Sequence, residues 1–139
     1  MKYKFDGYNW LVRLEKGEQL IASLTQLVKD EEIKGAWISG LGGSLSVELG
    51  FYMLEKQVYN FKVFDQLLEI TSLQGNVSWH EGEPKLHIHG SFSDENMQAI
   101  GGHVKELTVG GTCEIMLHAV QADLVRKHND EIGLDLLDI

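Results

Sequence analysis

Three histidines in the second half of the chain have the types and spacing of a metal site. His87 and His89 are separated by one residue, and His103 follows Gly101-Gly102 fourteen residues after His89. Side chains of an extended strand repeat every second residue, so His87 and His89 should project from one face and could share one ion. Three protein nitrogens with the fourth position open form the ligand pattern of an accessible zinc site. The spacing predicts that a metal can bind, and it names no reaction.

An interpretation without a metal stays open at this point. A histidine on a strand is more often packed or solvent-facing than a ligand, and the chain contains six histidines. His-x-His is also a short pattern that arises by coincidence. Gly101-Gly102 favours the metal, because glycine lets the backbone approach a site that a Cβ atom would obstruct. We expect this glycine pair and His103 to lie in a loop.

Two other segments carry weaker candidates. Glu69 lies on a predicted strand that we expect near the histidines, where it could act as a general base beside a metal-bound water. A solvated or salt-bridged glutamate is the alternative for this residue. The glycine-rich segment 39–44 lacks the Gly-Lys-Ser/Thr ending of a phosphate-binding P-loop, so we interpret it as a tight turn with close packing.

The composition predicts one domain over residues 1–139. The chain is 43% hydrophobic and 24% charged, with one proline and no linker-like tract, which is typical of a single globular core. The N-terminal residues have no apolar region typical of a signal peptide, and no stretch approaches the roughly 18 apolar residues of a membrane span. Cys113 is the only cysteine, so we expect a buried side chain and no disulfide. These features favour a cytoplasmic location.

The charge balance argues against direct binding to nucleic acid. Lysine and arginine number 12 against 21 aspartate and glutamate residues, a net charge of −9. Such a chain repels a phosphate backbone unless a local basic patch compensates. The one compact basic cluster, Arg126-Lys127-His128, is followed at once by acidic residues.

The hydrophobic pattern predicts one early helix followed by strands. Residues 10–14 form a first predicted strand, and Glu18 favours the N-terminus of the helix after it. Alternating apolar and polar residues then predict strands up to residue 121, with a turn at 80–84 and a strand at 85–92 carrying His87 and His89. Hairpin-linked strands with one helix indicate an antiparallel α+β domain. The helix is indicated by apolar residues at offsets of three and four: Leu20, Ile21, Leu24, Leu27 and Val28.

Several separated stretches resemble the PPC domain, which is shared by plants and prokaryotes. They occur in family order over roughly residues 8–122, and the tail 123–139 stays unassigned. Several motifs in order are much more specific than any single one. The matching stretches are Leu14-Glu15-Lys16-Gly17-Glu18, Ile38-Ser39-Gly40-Leu41-Gly42, Glu69-Ile70-Thr71-Ser72-Leu73-Gln74-Gly75-Asn76, Leu86-His87-Ile88-His89 and Gly101-Gly102-His103.

The resemblance implies a fold, an assembly and a ligand set. It implies an antiparallel sheet flanked by a few helices, a homotrimer, and a fold similar to acetolactate decarboxylase and related zinc proteins. Carried over by position, His87, His89 and His103 become the metal ligands, with zinc as the expected ion.

Two functions are expected, the first from the histidine set and the second from the resemblance. The first is a stand-alone trimeric metal-binding protein with a small-molecule pocket beside the histidines. The second is a non-enzymatic regulatory or protein-interaction module, associated with DNA as in the plant relatives that carry AT-hook motifs. This chain has no Arg-Gly-Arg-Pro core, and residues 66–71 keep only the Glu-Ile of the plant hexapeptide Gly-Arg-Phe-Glu-Ile-Leu. Both departures weigh against the second function.

Overall fold

The computed structural model describes all residues from 1 to 139. One α-helix, α1, spans Leu20–Asp30, and a short 3-10 turn spans Leu54–Lys56. The nine strands are β1 (Lys2–Phe5), β2 (Asn9–Glu15), β3 (Ala36–Met53), β4 (Val58–Phe64), β5 (Leu68–His80), β6 (Glu83–Ser93), β7 (Ala99–Ala119), β8 (Arg126–Asn129) and β9 (Leu134–Leu137).

The first seven strands form one antiparallel sheet. Their order is β1-β2-β7-β6-β5-β3-β4, and an additional pairing joins β7 to β3. This pairing closes β3, β5, β6 and β7 into a ring, while β8 and β9 form a separate hairpin. The predicted antiparallel α+β fold is confirmed. The sheet is accompanied by one α-helix, fewer than the few flanking helices that the resemblance implied.

The core lies on one face of the sheet, beneath α1. Twenty-four buried apolar side chains form a single cluster, which indicates one core for the chain. The helix contributes Leu20, Leu24, Leu27 and Val28, all fully buried, and contacts β6 and β7. The predicted helical stripe is therefore the face that packs on the sheet.

The helix N-terminus is capped by a residue distant in sequence. Glu106 of β7 accepts hydrogen bonds from the backbone N–H of Ile21 at 2.8 Å and of Ala22 at 3.2 Å. Glu18, predicted at this end, instead accepts from the N-terminal ammonium group and from the N–H of Glu15. The prediction for Glu18 was wrong because the helix begins two residues later, where the carboxylate of β7 can reach its free N–H groups.

The glycine-rich segment 39–44 is not a turn. It lies inside β3, pairs with β5 on one side and β7 on the other, and has irregular register around Gly42. Gly42 has φ +149°, and a Cβ atom there would lie 2.2 Å from the carbonyl oxygen of Thr112. The predicted close packing is confirmed, but the glycines serve strand contact at a bulge, where a larger residue would collide with β7.

Two further boundaries differ from the sequence predictions. Residues 101–103 lie within β7, which runs from residue 99 to residue 119, so the expected loop is a strand. Glycine was interpreted as a loop signal, but here it allows strands to approach closely. The unassigned tail forms the β8–β9 hairpin. No helix in the structure is both long and apolar enough to cross a membrane.

Candidate metal centre

The pairing of β6 with β7 brings the three histidines together. His87 and His89 alternate along β6 with Ile88, which is fully buried. Their imidazoles therefore share one face of the strand, as predicted, and it is the face opposite the core. His103 of β7 is the direct cross-strand partner of His89. Directly opposed residues of an antiparallel pair project to the same side, so His103 joins the other two.

The three imidazoles have the spacing of a metal-ligand set. One ring nitrogen of each residue lies within 4.8 Å of the corresponding atoms of the other two. The Nε2 atoms of His87 and His89 are 3.2 Å apart. Two nitrogens bound at about 2.05 Å in tetrahedral geometry would lie about 3.3 Å apart. The donor set and the spacing fit a zinc-sized ion.

The local environment keeps two of these imidazoles neutral at neutral pH. Burial lowers the pKa of His103 to about 4, and positive charge on His87 and His89 acts in the same direction. Burial is also the main cause that lowers the pKa of His87, followed by the charges of Arg126 and His89. A metal binds the unprotonated form of imidazole, so this environment favours a ligating state.

His103 lies in a cradle formed by β3 and β4. Its ring centroid is 4.9 Å from that of Tyr59 on β4, and its cross-strand partner on β3 is Gly50. A Cβ atom at Gly50 would lie 2.9 Å from the Tyr59 ring, so glycine leaves room for this packing. The Nδ1 atom of His103 is buried and has no hydrogen-bond partner in the chain. Such an orphaned nitrogen is expected where a missing group completes the site.

The neighbouring strand β5 holds His87 from the other side. Asn76, which is buried, is the cross-strand partner of His87. At the preceding position, a Cβ atom on Gly75 would lie 2.2 Å from the carbonyl oxygen of His87. The close approach of β5 and β6 beside the site therefore requires glycine.

Arg126, which the sequence did not single out, lies next to the histidines. It belongs to β8, and its Nη2 atom donates to Oδ1 of Asn76 at 2.8 Å and lies 3.5 Å from Nδ1 of His87. Its Nε atom donates to the hydroxyl of the buried Ser78 at 2.7 Å. The sequence signal was the basic cluster at 126–128, but only the docking of the C-terminal hairpin places its first member here.

Glu69 is not part of this cluster. It pairs with Ser93 of β6, four residues beyond His89, which corresponds to about 13 Å along a strand. The side chain is exposed and makes no hydrogen bond or salt bridge. The three histidines are therefore brought together without this carboxylate.

A groove of about 760 Å³ lies on a neighbouring part of the sheet. It is lined by residues of β1, β2, β3, β5 and β7, among them Leu11, Leu41 and Gln74, and none of the three histidines lines it. Gln74 is the cross-strand partner of His89. The groove therefore reaches the strand beside the histidines but does not enclose them.

Comparison with known proteins places this site in a family. Residues 1–121 match the Plants and Prokaryotes Conserved (PCC) domain. The chain belongs to this family. The match covers the three histidines and ends before Arg126, so the C-terminal hairpin lies beyond the matched residues. No curated protein matches the chain.

Solved structures of other proteins resemble nearly the whole chain. A protein from Ralstonia eutropha JMP134, described as a proposed DNA-binding protein, is 32% identical with a TM-score of 0.94, covering 99% of this chain and 96% of its own. A metal-containing protein from Archaeoglobus fulgidus is 30% identical with a TM-score of 0.87, covering 100% of both chains.

A more distant likeness concerns the fold alone. The acetolactate decarboxylase from Bacillus subtilis strain 168 has a TM-score of 0.60 at 16% identity, covering 93% of this chain and 60% of the enzyme. The expected similarity in fold to acetolactate decarboxylase is confirmed.

Proposed function

We propose that the chain is a metal-binding protein that holds one zinc ion through His87, His89 and His103. The observation that carries this proposal is the convergence of three imidazoles on one face, with two Nε2 atoms 3.2 Å apart. The description of the Archaeoglobus protein as metal-containing supports it. The three imidazoles leave a fourth tetrahedral position for a ligand, which is typical of accessible zinc sites.

The chemistry available at such a centre is Lewis-acid activation. Bound zinc would polarise a carbonyl oxygen or lower the pKa of a bound water. The chain's own residues would hold the ion and shape its surroundings: Tyr59 packs against His103, and Arg126 lies beside His87. We propose that a small molecule binds at the exposed side of the histidines, where His89 faces solvent.

The experiment is elemental analysis of untagged protein, followed by the His87→Ala/His89→Ala double variant. We expect about one zinc per wild-type chain and loss of that zinc in the variant. His118→Ala, a histidine on β7 outside the cluster, is the matched control and should keep the metal. Equal metal content in the double variant and the wild type, with both folded by circular dichroism, would contradict the proposal.

We also propose a homotrimer, as the family resemblance implies. Apolar side chains are exposed on the sheet face that carries the groove: Leu11 is 44%, Trp37 50% and Leu41 56% exposed. Apolar area of this kind is typical of an interface. Light scattering should give three times the chain mass of 15.6 kDa. A monomeric mass at micromolar concentration would reject the trimer.

A DNA-associated role is the second candidate, and the description of the Ralstonia protein favours it. The net charge of −9 disfavours its direct form, because phosphate backbones repel an acidic surface. Fluorescence anisotropy with a labelled duplex at about 0.15 M salt distinguishes the two candidates. Binding that weakens steeply with salt supports the DNA role, and absence of binding rejects its direct form.

A further inference from the structure

Arg126 is a half-buried cation whose hydrogen-bond partners are all neutral. Its Nε atom donates to the hydroxyl of Ser78, Nη1 to the carbonyl oxygen of Asp135 at 2.7 Å, and Nη2 to the amide oxygen of Asn76. Ser78 and Asn76 are two of the three buried polar residues of the chain. The fold therefore uses scarce buried polar groups to hold this guanidinium in one orientation.

Arg126 is half-buried and yet has no directly paired carboxylate. Buried charges are normally paired with opposite charges, and this chain contains 21 acidic residues. None of them forms a salt bridge with Arg126. Asp135 directs its carboxylate to His128 at 3.0 Å and His80 at 3.7 Å, and its hydrogen bond with Arg126 comes from its backbone carbonyl. The charge of Asp135 acts on the guanidinium without direct contact.

The guanidinium has donor capacity left for a ligand. Of the five N–H groups of arginine, three donate to these neutral partners and a fourth, on Nη2, is directed at Nδ1 of His87 at 3.5 Å. The fifth, on Nη1, has no partner in the chain, and the long contact with His87 lets the Nη2 N–H turn to a ligand beside it. Two N–H groups on adjacent nitrogens are the fork that binds a carboxylate in bidentate fashion. The contact of Nη2 with Nδ1 of His87, at 3.5 Å, is too long to be a strong competing hydrogen bond.

The location of this fork connects it to the histidines. The imidazole of His87 has Nδ1 towards Arg126 and Nε2 towards His89, so one ring separates the guanidinium from the cluster. The hydroxyl of Tyr59 has no hydrogen-bond partner in the chain. Burial is the main cause that raises the pKa of Tyr59, and the charge of Arg126 opposes this shift, which places the two groups within electrostatic reach.

We propose that Arg126 is the anion-recognition residue of this site, and that it binds the carboxylate of a small organic acid next to the metal. This inference rests on the proposed metal function and adds the class of ligand. Zinc at the histidines and Arg126 provide two positive centres on either side of His87. A carboxylate supplies the direct ion pair that no acidic side chain of the protein forms with Arg126.

The test is calorimetric titration of acetate into zinc-loaded protein, with neutral acetamide as the control ligand. We compare the wild type with Arg126→Ala and with Lys127→Ala. Lys127 is the adjacent residue on β8, is 73% exposed, and points to the other side of the strand. Its variant loses the same charge, so it corrects for the change in net charge. Zinc content is measured for every sample.

We expect Arg126→Ala to lower acetate affinity at least about tenfold, with one zinc retained and Lys127→Ala unchanged. Where Arg126→Ala unfolds, Arg126→Gln carries the test, because it keeps an amide donor for Asn76 and removes the charge.

Wild-type acetate affinity in the zinc-loaded Arg126 variants would overturn the anion role while leaving the metal proposal intact. Wild-type protein that binds no zinc would instead reject the metal proposal. In that case, the metal-free wild type is titrated with acetate. Acetate binding that is lost in Arg126→Ala would still support the anion role, and a wild type that binds no acetate would overturn it.

Discussion

Gly75 gives a sharp test of how the histidine face is built. A Cβ atom at this position would lie 2.2 Å from the carbonyl oxygen of His87 and 2.9 Å from Cα of Ile88. Ordinary contact begins near 3.4 Å, so β6 would have to move away from β5 by 3.4 − 2.2 = 1.2 Å. A shift of that size breaks ladder hydrogen bonds, whose N···O distances are normally about 2.9 Å.

The expected cost of Gly75→Ala follows from these distances. Forcing a methyl group into a packed site costs about 1–3 kcal/mol, and two broken ladder hydrogen bonds add about 1 kcal/mol each. We therefore expect the free energy of unfolding to fall by about 3–5 kcal/mol. For a domain of this size, that corresponds to a decrease in Tm of roughly 10–17 °C. Because the clash is with His87 itself, bound zinc should also decrease.

The assay is urea unfolding followed by intrinsic fluorescence, with zinc analysis of the same samples. Gly111→Ala is the matched control, because a Cβ atom there meets nothing within 4 Å. It should change the free energy of unfolding by less than about 0.5 kcal/mol. If Gly75→Ala unfolds at the same urea concentration as the wild type, the close approach of β5 and β6 is not a constraint and the reasoning is refuted.

Three further predictions follow from other contacts. Replacing Glu106 with alanine removes the cap of α1 and should lower the free energy of unfolding by about 1–2 kcal/mol. The change is measured by urea unfolding, with Glu114→Ala as the control. An unchanged unfolding midpoint in Glu106→Ala would contradict the capping role. The N-terminal ammonium group is the main cause that holds the pKa of Glu18 below its ordinary value of 4.5. The ion pair therefore stabilises the fold above pH 4.5, and this stabilisation is lost as the pH falls through the lower pKa of Glu18 in the folded protein. When the free energy of unfolding is measured against pH, Glu18→Gln should lose less stability at acid pH than the wild type. Burial raises the pKa of Cys113 to about 12, so a thiol-specific chromogenic reagent at pH 8 should label it only after unfolding in urea, and rapid labelling of folded protein would argue against its burial.

Local patterns accounted for much of the fold. The apolar spacing of residues 20–28 predicted α1, because a stripe at offsets of three and four can be buried only on one side of a helix. Alternation predicted the strands, and the His-x-His spacing placed His87 and His89 on one face. The glycine segments were misinterpreted because glycine marks both turns and close strand contacts, and the local pattern does not distinguish the two. Whether Gly42 bends the chain or approaches Thr112 depends on β7, because Thr112 lies on that strand, seventy residues away in sequence.

The features of the histidine site also divide into those set by local sequence and those set by long-range contacts. By itself, the sequence determined the two-residue repeat that aligns His87 with His89, the family motifs and the acidic charge, since these are properties of neighbouring residues or of the whole composition. Only the tertiary structure decided that His103 opposes His89, because strand register is set by pairing over the full length of β6 and β7. It also separated Glu69 from the histidines and brought Arg126 to His87 by docking the C-terminal hairpin. Such long-range contacts depend on burial and hydrogen bonding between segments that no local spacing connects.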